Sequence, residues 1–184
     1  MKPTLLSPAG IAAYLDAGHW TLDTMAGRCA DHARDCPGRI ACQDAQGTYT
    51  WAQLDAATDR LSANLIGLGL MRDSRALVQM PSSSREMLLR IALKKAGIIG
   101  VYVPMQWRRR ELDYVMQRIA PDLIVMARDA LHPDDMAWLD DAAAGLHARI
   151  DLGTPTAPGW RPWDELSTPS ANADDIAQIP SRSF

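Results

Sequence analysis

The sequence lacks several features that would narrow its function at once. It has three cysteines and one phenylalanine among 184 residues, and no apolar run approaches the ~18 residues of a membrane-spanning helix. Three cysteines are an odd number, which argues against a disulfide framework and favours a reducing compartment. A net charge of -3 gives no general attraction to nucleic acid or acidic membranes. We therefore predict a cytoplasmic protein with no nucleic-acid partner and no membrane partner.

Glycine-rich nucleotide loops are also absent from the sequence. It contains neither Gly-x-Gly-x-x-Gly nor Gly-x-x-x-x-Gly-Lys-Ser/Thr, the two common phosphate cradles. The turn Pro81–Ser84 does precede a predicted helix, where free backbone amides and the helix dipole could hold an anion. Ser83 could instead be an ordinary helix cap, and this is the interpretation that we favour.

The composition that remains is that of a globular domain. Hydrophobic residues make up 47% and charged residues 22%, and 184 residues can bury a substantial core. We predict an N-terminal arm over residues 1–20, with a short helix near 11–17, and an α/β subdomain over residues 21–152. A Pro-rich loop, pinned by Trp160 and Trp163, and a truncated strand lead-in complete the chain over residues 153–184.

The stretch from Gly47 to Pro104 carries a start or stop signal at each predicted boundary. Thr50 followed by Gln53 predicts a capping box, and Gly69 ends that helix where a left-handed residue is needed. Between them, apolar residues recur at helical spacing: Leu54, Ala57, Leu61, Leu65 and Leu68.

The second half of that stretch repeats the pattern. Residues 76–80 predict a short strand, and Ser83 with Glu86 predicts a second capping box. The helix that follows, with an apolar face of Met87, Leu88, Ile91 and Ala92, ends at Gly97 before a strand over 98–103. The order helix, strand, helix, strand predicts an α/β fold, with a mostly parallel sheet and flanking helices joined by right-handed crossovers.

Weaker signals extend the prediction to both sides. We expect a helix over 21–35, with Thr21 or Asp23 near its cap and an apolar stripe of Leu22, Met25, Ala26, Cys29 and Ala33. A hairpin follows, with strands over 39–44 and 48–50 around a Gln46-Gly47 turn. Beyond Pro104 we predict helices over 109–119, 133–144 and 163–166, and strands over 122–126 and 147–152.

Three groups of residues could carry chemistry, and each has a plainer explanation. Cys29, His32 and Cys36 have a helical spacing that could present metal ligands, but no fourth ligand is evident and Cys29 continues the apolar stripe. We favour a buried Cys29 with surface neighbours. Asp140 and Asp141 are adjacent near a helix end, so they project in different directions. We expect solvated side chains there rather than a catalytic pair.

The third group is Trp107-Arg-Arg-Arg110. Arginine binds phosphate through two parallel hydrogen bonds, so a contact with nucleic acid or with the phosphates of CoA is conceivable. We favour a solvated helix start in which the arginine stems lie over Trp107.

The central motifs, in their order, resemble the opening of the adenylate-forming superfamily, which includes acyl- and aryl-CoA synthetases. Residues 48–54, Thr-Tyr-Thr-Trp-Ala-Gln-Leu, are similar to the first core motif of that superfamily. Leu93-Lys-Lys-Ala-Gly97 and Val101-Tyr-Val-Pro104 together are similar to the second. Residues 108–115 resemble the Arg-rich entry to a helix in such ligases. The resemblance implies the first subdomain of the adenylate-forming N-terminal domain.

The same resemblance implies what a complete enzyme would use. Such ligases form an acyl-adenylate with ATP and Mg and transfer the acyl group to CoA. Their phosphate loop should follow a strand introduced by a segment like Asp174–Pro180, and Ser181–Phe184 comes there instead. No catalytic, cofactor-binding or metal-binding residue can therefore be carried over, and we expect no cofactor for this chain alone.

We therefore expect an N-terminal fragment or subunit of an AMP-forming carboxylic acid-CoA ligase that is inactive alone. Its expected partner is a separately encoded C-terminal portion of the ligase, or a second copy in a homo-oligomer. The alternative is a non-catalytic protein-interaction or small-molecule-binding module derived from that fold. An unrelated small nucleotide-binding α/β domain is disfavoured, because it would need a glycine-rich loop.

Overall fold

A computed structural model describes residues 6–154, 156–168 and 173–182. The helices are α1 Pro8–Asp16, α2 Met25–Asp35, α3 Trp51–Gly67, α4 Ser84–Lys95, α5 Arg109–Ile119, α6 Pro133–Ala142, α7 Trp163–Ser167 and α8 Ala173–Arg182, with a 3-10 turn at Arg128–Ala130. The strands are β1 Ile40–Asp44, β2 Gly47–Thr50, β3 Arg75–Gln79, β4 Ile99–Tyr102, β5 Leu123–Met126, β6 Ala148–Asp151 and β7 Arg161–Pro162.

The strands form a parallel sheet and a separate hairpin, so the predicted α/β class is confirmed. The sheet has the order β4-β3-β5-β6-β7, with every neighbouring pair parallel. β1 and β2 pair antiparallel. In the sheet, the chain moves outward from β3 to β4, returns past β3 to β5, and continues to β6 and β7. This is the order of a doubly wound α/β sheet.

Alternate residues of the inner strands enter two hydrophobic cores, one on each face of the sheet. Val78 and Val125 pack into the core that contains α3 and α4. Leu77 and Ile124 pack into the core that contains α5 and α6. All four residues of β5 are buried, which confirms the prediction that its continuous apolar run is covered on both sides.

Several predicted boundary signals are present as hydrogen bonds or backbone angles. Thr50 Oγ1 accepts the amide of Gln53 at 3.3 Å, and Gln53 Oε1 accepts the amide of Thr50 at 2.9 Å. Gly69 and Gly97 have φ values of +85° and +71°, the left-handed conformation that glycine adopts without strain. The capping box and both helix ends are therefore confirmed.

The predicted start of α2 is wrong. Thr24 caps this helix, because its side chain accepts the amide of Gly27, and neither Thr21 nor Asp23 does so. Leu22 precedes the helix and is 85% exposed, whereas Ala26 and Cys29 are buried as expected. The prediction that Met87 belongs to the apolar face of α4 is also wrong, since Met87 is 39% exposed while the other predicted members of that face are buried.

The C-terminal part differs most from the prediction. Residues 174–180, expected to lead into a strand, lie in helix α8, which packs on α3. Gly67 lies against this helix: a β-carbon at that position would meet the Asp175 carboxylate at 2.9 Å, so the Asp175 side chain would have to shift. The Pro-rich loop also contains the unpredicted strand β7. Trp160 and Trp163 are buried, so the prediction that they pin this loop is confirmed.

The N-terminal helix α1 contains no buried residue. Tyr14 stacks on Trp20 with ring centroids 4.9 Å apart, so this segment packs partly on itself. No described helix combines the length and apolar character needed to cross a membrane.

Candidate functional site

The carboxyl ends of β3 and β5 lie side by side, at the point where the winding of the sheet changes direction. Doubly wound sheets bind their ligands outside this switch point. Gln79, the last residue of β3, is 2% exposed. Its Nε2 donates to the carbonyl oxygens of Pro104 at 2.8 Å and Trp107 at 3.1 Å. Gln79 therefore ties the switch point to the loop that leads from β4 into α5.

The helix that follows β3 already has an anion at its first turn. Asp44, at the end of β1, accepts the Ser84 amide at 2.6 Å through Oδ2. Ser83 Oγ accepts the Glu86 amide at 3.4 Å, so the interpretation of Ser83 as a cap is confirmed. Glu86 pairs with Arg90 rather than closing the box. The position where an anion could bind is thus occupied by a carboxylate of the protein itself.

The electrostatics at Asp44 agree with this role. The hydrogen bond from the Ser84 amide lowers the pKa of Asp44 below the ordinary carboxyl range, with further bonds from the Gln46 and Gly47 amides. The hairpin is therefore anchored to the start of α4 by a charged carboxylate.

The arginine-rich start of α5 is exposed, in agreement with the favoured interpretation, but its contacts differ from those expected. Arg109 lies over the ring of Trp138, 5.7 Å from its centroid, rather than over Trp107. Arg108 donates to the Ala130 carbonyl at 3.3 Å, and its amide donates to Glu111, which lowers the pKa of that carboxyl. Arg110 borders two shallow clefts of about 320 and 440 Å³.

A buried arginine network behind β5 and β6 was missed by sequence reasoning. Arg128 has a side chain that is 9% exposed, and its Nη2 donates to both carboxylate oxygens of Asp140, at 2.9 and 2.7 Å. Its Nη1 lies 3.8 Å from Asp151, and its guanidinium lies 5.0 Å from the ring centroid of Trp160. The available signal was a charged residue two positions after a buried strand, at the carboxyl edge of the sheet.

This network corrects the prediction for Asp140. Its carboxylate accepts Trp160 Nε1 at 2.7 Å as well as the Arg128 guanidinium, so this side chain, although 40% exposed as a solvated group would be, also anchors its neighbours. Asp141 is exposed, whereas Asp140 is half-buried, so the two neighbours have different surroundings. Together Arg128 and Asp140 hold the Pro-rich loop against the end of the sheet.

The second core motif supplies a buried lysine. Lys95 is 4% exposed and its Nζ reaches Asp55 Oδ1 at 2.7 Å and Asp59 Oδ1 at 2.6 Å on α3. Since Asp55 and Asp59 are one helical turn apart, one ammonium group can bind both. The lysine thus joins α3 and α4, and its role in this chain is to hold two helices together.

Cys29, His32 and Cys36 do not converge. Cys29 is buried in the core, and burial raises the pKa of its thiol. The ring of His32 packs on Trp51 with centroids 4.6 Å apart. Among the residues that the structure describes, no group of three or more His, Cys, Asp or Glu side chains is placed to hold a metal ion.

The parallel sheet, with its capped helix at the switch point, defines a doubly wound α/β domain. The sequence model of the family described as AMP-binding enzyme matches residues 29–180. The chain therefore belongs to the AMP-binding enzyme family, and it matches an N-terminal part of these proteins, as the resemblance implied.

Individual relatives agree with this assignment. The salicyl-AMP ligase / salicyl-S-ArCP synthetase of Mycobacterium tuberculosis is 36% identical over 124 residues, which are 63% of this chain and 21% of that protein. The 2-hydroxy-7-methoxy-5-methyl-1-naphthoate–CoA ligase of Streptomyces carzinostaticus is 27% identical over 120 residues, 65% of this chain and 22% of the ligase. The chain thus spans about a fifth of the length of these relatives.

Solved structures show the same fold. The apo structure of MbtA from Mycobacterium smegmatis has a TM-score of 0.80 and 27% identity, and covers 91% of this chain and 31% of MbtA. Acetoacetyl-CoA synthetase from Streptomyces lividans has a TM-score of 0.68 at 20% identity, over 80% of this chain and 25% of the synthetase.

Proposed function

We propose that this chain provides the N-terminal α/β subdomain of an AMP-forming carboxylic-acid ligase. The family match over residues 29–180 carries the proposal, and the similarity to MbtA supports it. The complete ligase would use ATP with Mg²⁺ to form an acyl-adenylate and would pass the acyl group to a thiol such as CoA. Two of the relatives are named for hydroxylated aryl acids, so an aryl acid is the substrate class to test first.

Residues 1–184 by themselves do not form the adenylate under this proposal. Adenylation requires hydrogen-bond donors aimed at the phosphates, where charge develops in the transition state. The Ser84 amide, at the start of α4, is already bonded to Asp44, and the sequence has no glycine-rich phosphate loop. The contribution of this chain to catalysis is thus to support a site whose reactive groups lie elsewhere.

Exchange of pyrophosphate with ATP tests whether the chain alone is inactive. The purified chain, given salicylate, ATP and Mg²⁺, should give no exchange above a reaction without protein. The full-length salicyl-AMP ligase of M. tuberculosis is the positive control. Exchange that depends on both the chain and the acid would contradict the predicted inactivity.

A chimera tests whether the chain provides the N-terminal α/β subdomain of such a ligase. Residues 29–180 would replace the matched segment of the M. tuberculosis ligase, and the chimera should retain salicylate-dependent exchange. A chimera that folds, as judged by its circular dichroism and its elution as a single species, but gives no exchange would contradict the subdomain assignment. The expected partner, a separate C-terminal portion or a second copy, stays a prediction.

A further inference from the structure

A cleft of about 330 Å³ lies where the β1–β2 hairpin, α3, the start of α4 and α7 meet. Its volume is in the range of small-molecule sites, which begin at roughly 300 Å³. Four different parts of the chain line it, so its shape depends on the whole subdomain. Its apolar lining residues are Tyr49, Ala57, Leu61, Leu88 and Trp163.

Two arginines line this cleft. Arg60 comes from α3 and Arg85 from the first turn of α4, and both are half-buried. Within residues 6–154, 156–168 and 173–182, neither arginine forms an ion pair; Arg85 instead lies 6.0 Å from the ring centroid of the buried Trp163. Partial burial of a charge without a partner is unfavourable. An anionic ligand would supply an opposite charge to both arginines, and Arg85 could keep its contact with Trp163.

The other charged groups around the cleft indicate the charge of that ligand. Asp164 lines the cleft and is exposed. Asp44, near its margin, is engaged by the Ser84 amide. The charges of the lining residues are therefore two positive and one negative, 2 − 1 = +1. This sum suits a monoanion better than a phosphate dianion, which Asp164 would repel.

We propose that this cleft binds a small aromatic monocarboxylate. The guanidinium groups of Arg60 and Arg85 bind the carboxylate, since the planar fork of arginine matches its two oxygens. The aromatic and aliphatic lining receives the ring. Gln46, Ser84 and Ser167 place neutral hydrogen-bonding groups around the same cleft. The proposal does not depend on the adenylation proposed above, because binding is measured on the chain alone.

Titration with benzoate tests the proposal, with amide chemical shifts and Trp fluorescence as readouts. Benzoate should bind saturably and shift the amides of α4 and α7. Benzamide, which has the same ring but no charge, should bind at least about tenfold more weakly than benzoate. Arg60→Gln and Arg85→Gln should each weaken benzoate binding by about tenfold, while Arg110→Gln, on a different surface, should leave the affinity unchanged.

A third variant keeps the test independent of folding. Asp164 is exposed, so Asp164→Asn should fold normally, bind benzoate about two- to threefold more tightly and gain affinity for inorganic phosphate. Equal binding of benzoate and benzamide, unchanged benzoate affinity in both arginine variants, or no saturable binding of benzoate would each overturn the proposal. Binding of a glutamate-rich peptide in place of benzoate would also overturn it, in favour of a protein-docking surface.

Discussion

Lys95, in the second core motif, joins α4 to α3 through two ion pairs. Its side chain is 5% exposed, while those of Asp55 and Asp59 are 23% and 41% exposed. Removal of the lysine leaves two carboxylates one turn apart on α3, facing α4 without the ammonium group that binds both. Because both can be partly rehydrated, we expect Lys95→Met to lower the free energy of unfolding by roughly 2–4 kcal/mol, measured by urea denaturation.

The adjacent lysine supplies a matched control for this measurement. Lys94 is half-buried and belongs to the same motif, so Lys94→Met makes the same chemical change one position away. We expect a loss below about 1 kcal/mol, the usual size for a residue outside the core. Equal losses in both variants would show that the motif acts through general charge rather than through the bridge from Lys95.

Asp44 should make the stability of the chain depend on pH. Its pKa is lowered in the folded state by the Ser84 amide, so the folded protein favours the charged carboxylate more than the unfolded chain does. The stabilisation is present above the ordinary carboxyl pKa of about 3.9 and is lost as the pH falls through the lower folded value. The urea midpoint of wild type should exceed that of Asp44→Asn at neutral pH.

The gap between the two midpoints should close as the pH is lowered below about 4, because the carboxyl group becomes neutral like the amide. Asp141→Asn, at an exposed carboxylate, is the control and should track wild type throughout. A gap between wild type and Asp44→Asn that stays constant from pH 7 to low pH would mean that shape, and not charge, anchors the hairpin to α4.

At the level of elements, α8 offers two isoleucines with opposite surroundings. Ile179 is 9% exposed and belongs to the core beside α3, whereas Ile176 is 43% exposed. Ile179→Asp should detach the helix, because a charge cannot be buried there. Hydrogen exchange over residues 173–182 should rise by at least about tenfold, while Ile176→Asp should change it little. Equal exchange in both variants would contradict the packing of α8 on α3.

The elements that the sequence predicted well are those with local signals. The Thr50–Gln53 box, Gly69 and Gly97 each act within a few residues, so the bounds of α3 and α4 follow from the chain itself. Helix α8 could not be predicted from such local signals. It packs on α3, more than a hundred residues away, and short helices take most of their stability from such packing.

The candidate site was less predictable for the same reason. Ser83 could be recognised as a cap, but the carboxylate that fills the adjacent anion position comes from Asp44, 40 residues earlier. The ion pair of Arg128 with Asp140 likewise forms only when the 3-10 turn meets α6. Sequence reasoning found the turns and the strands, whereas the partners of the charged side chains depend on the tertiary arrangement.

For the whole molecule, the central question is which residues fold as one unit. The two cores are formed on the faces of a single sheet, and their members lie between Cys29 and Ile179. The family match covers a similar range, residues 29–180. By contrast, α1 contributes no buried residue, and the ring of Tyr14 packs on Trp20 within the predicted arm. The cooperative unit should therefore begin after residue 20.

Deletion of residues 1–20 tests this boundary. We expect the free energy of unfolding to change by less than about 1 kcal/mol, since almost no core surface is lost. The slope of unfolding with urea should fall only slightly, because this slope follows the area exposed on unfolding. Deletion of residues 1–35 is the contrasting variant: it removes α2 with the buried Ala26 and Cys29 and should cost several kcal/mol. If both deletions destabilise the protein alike, the arm is part of the folded unit and the boundary at residue 20 is wrong.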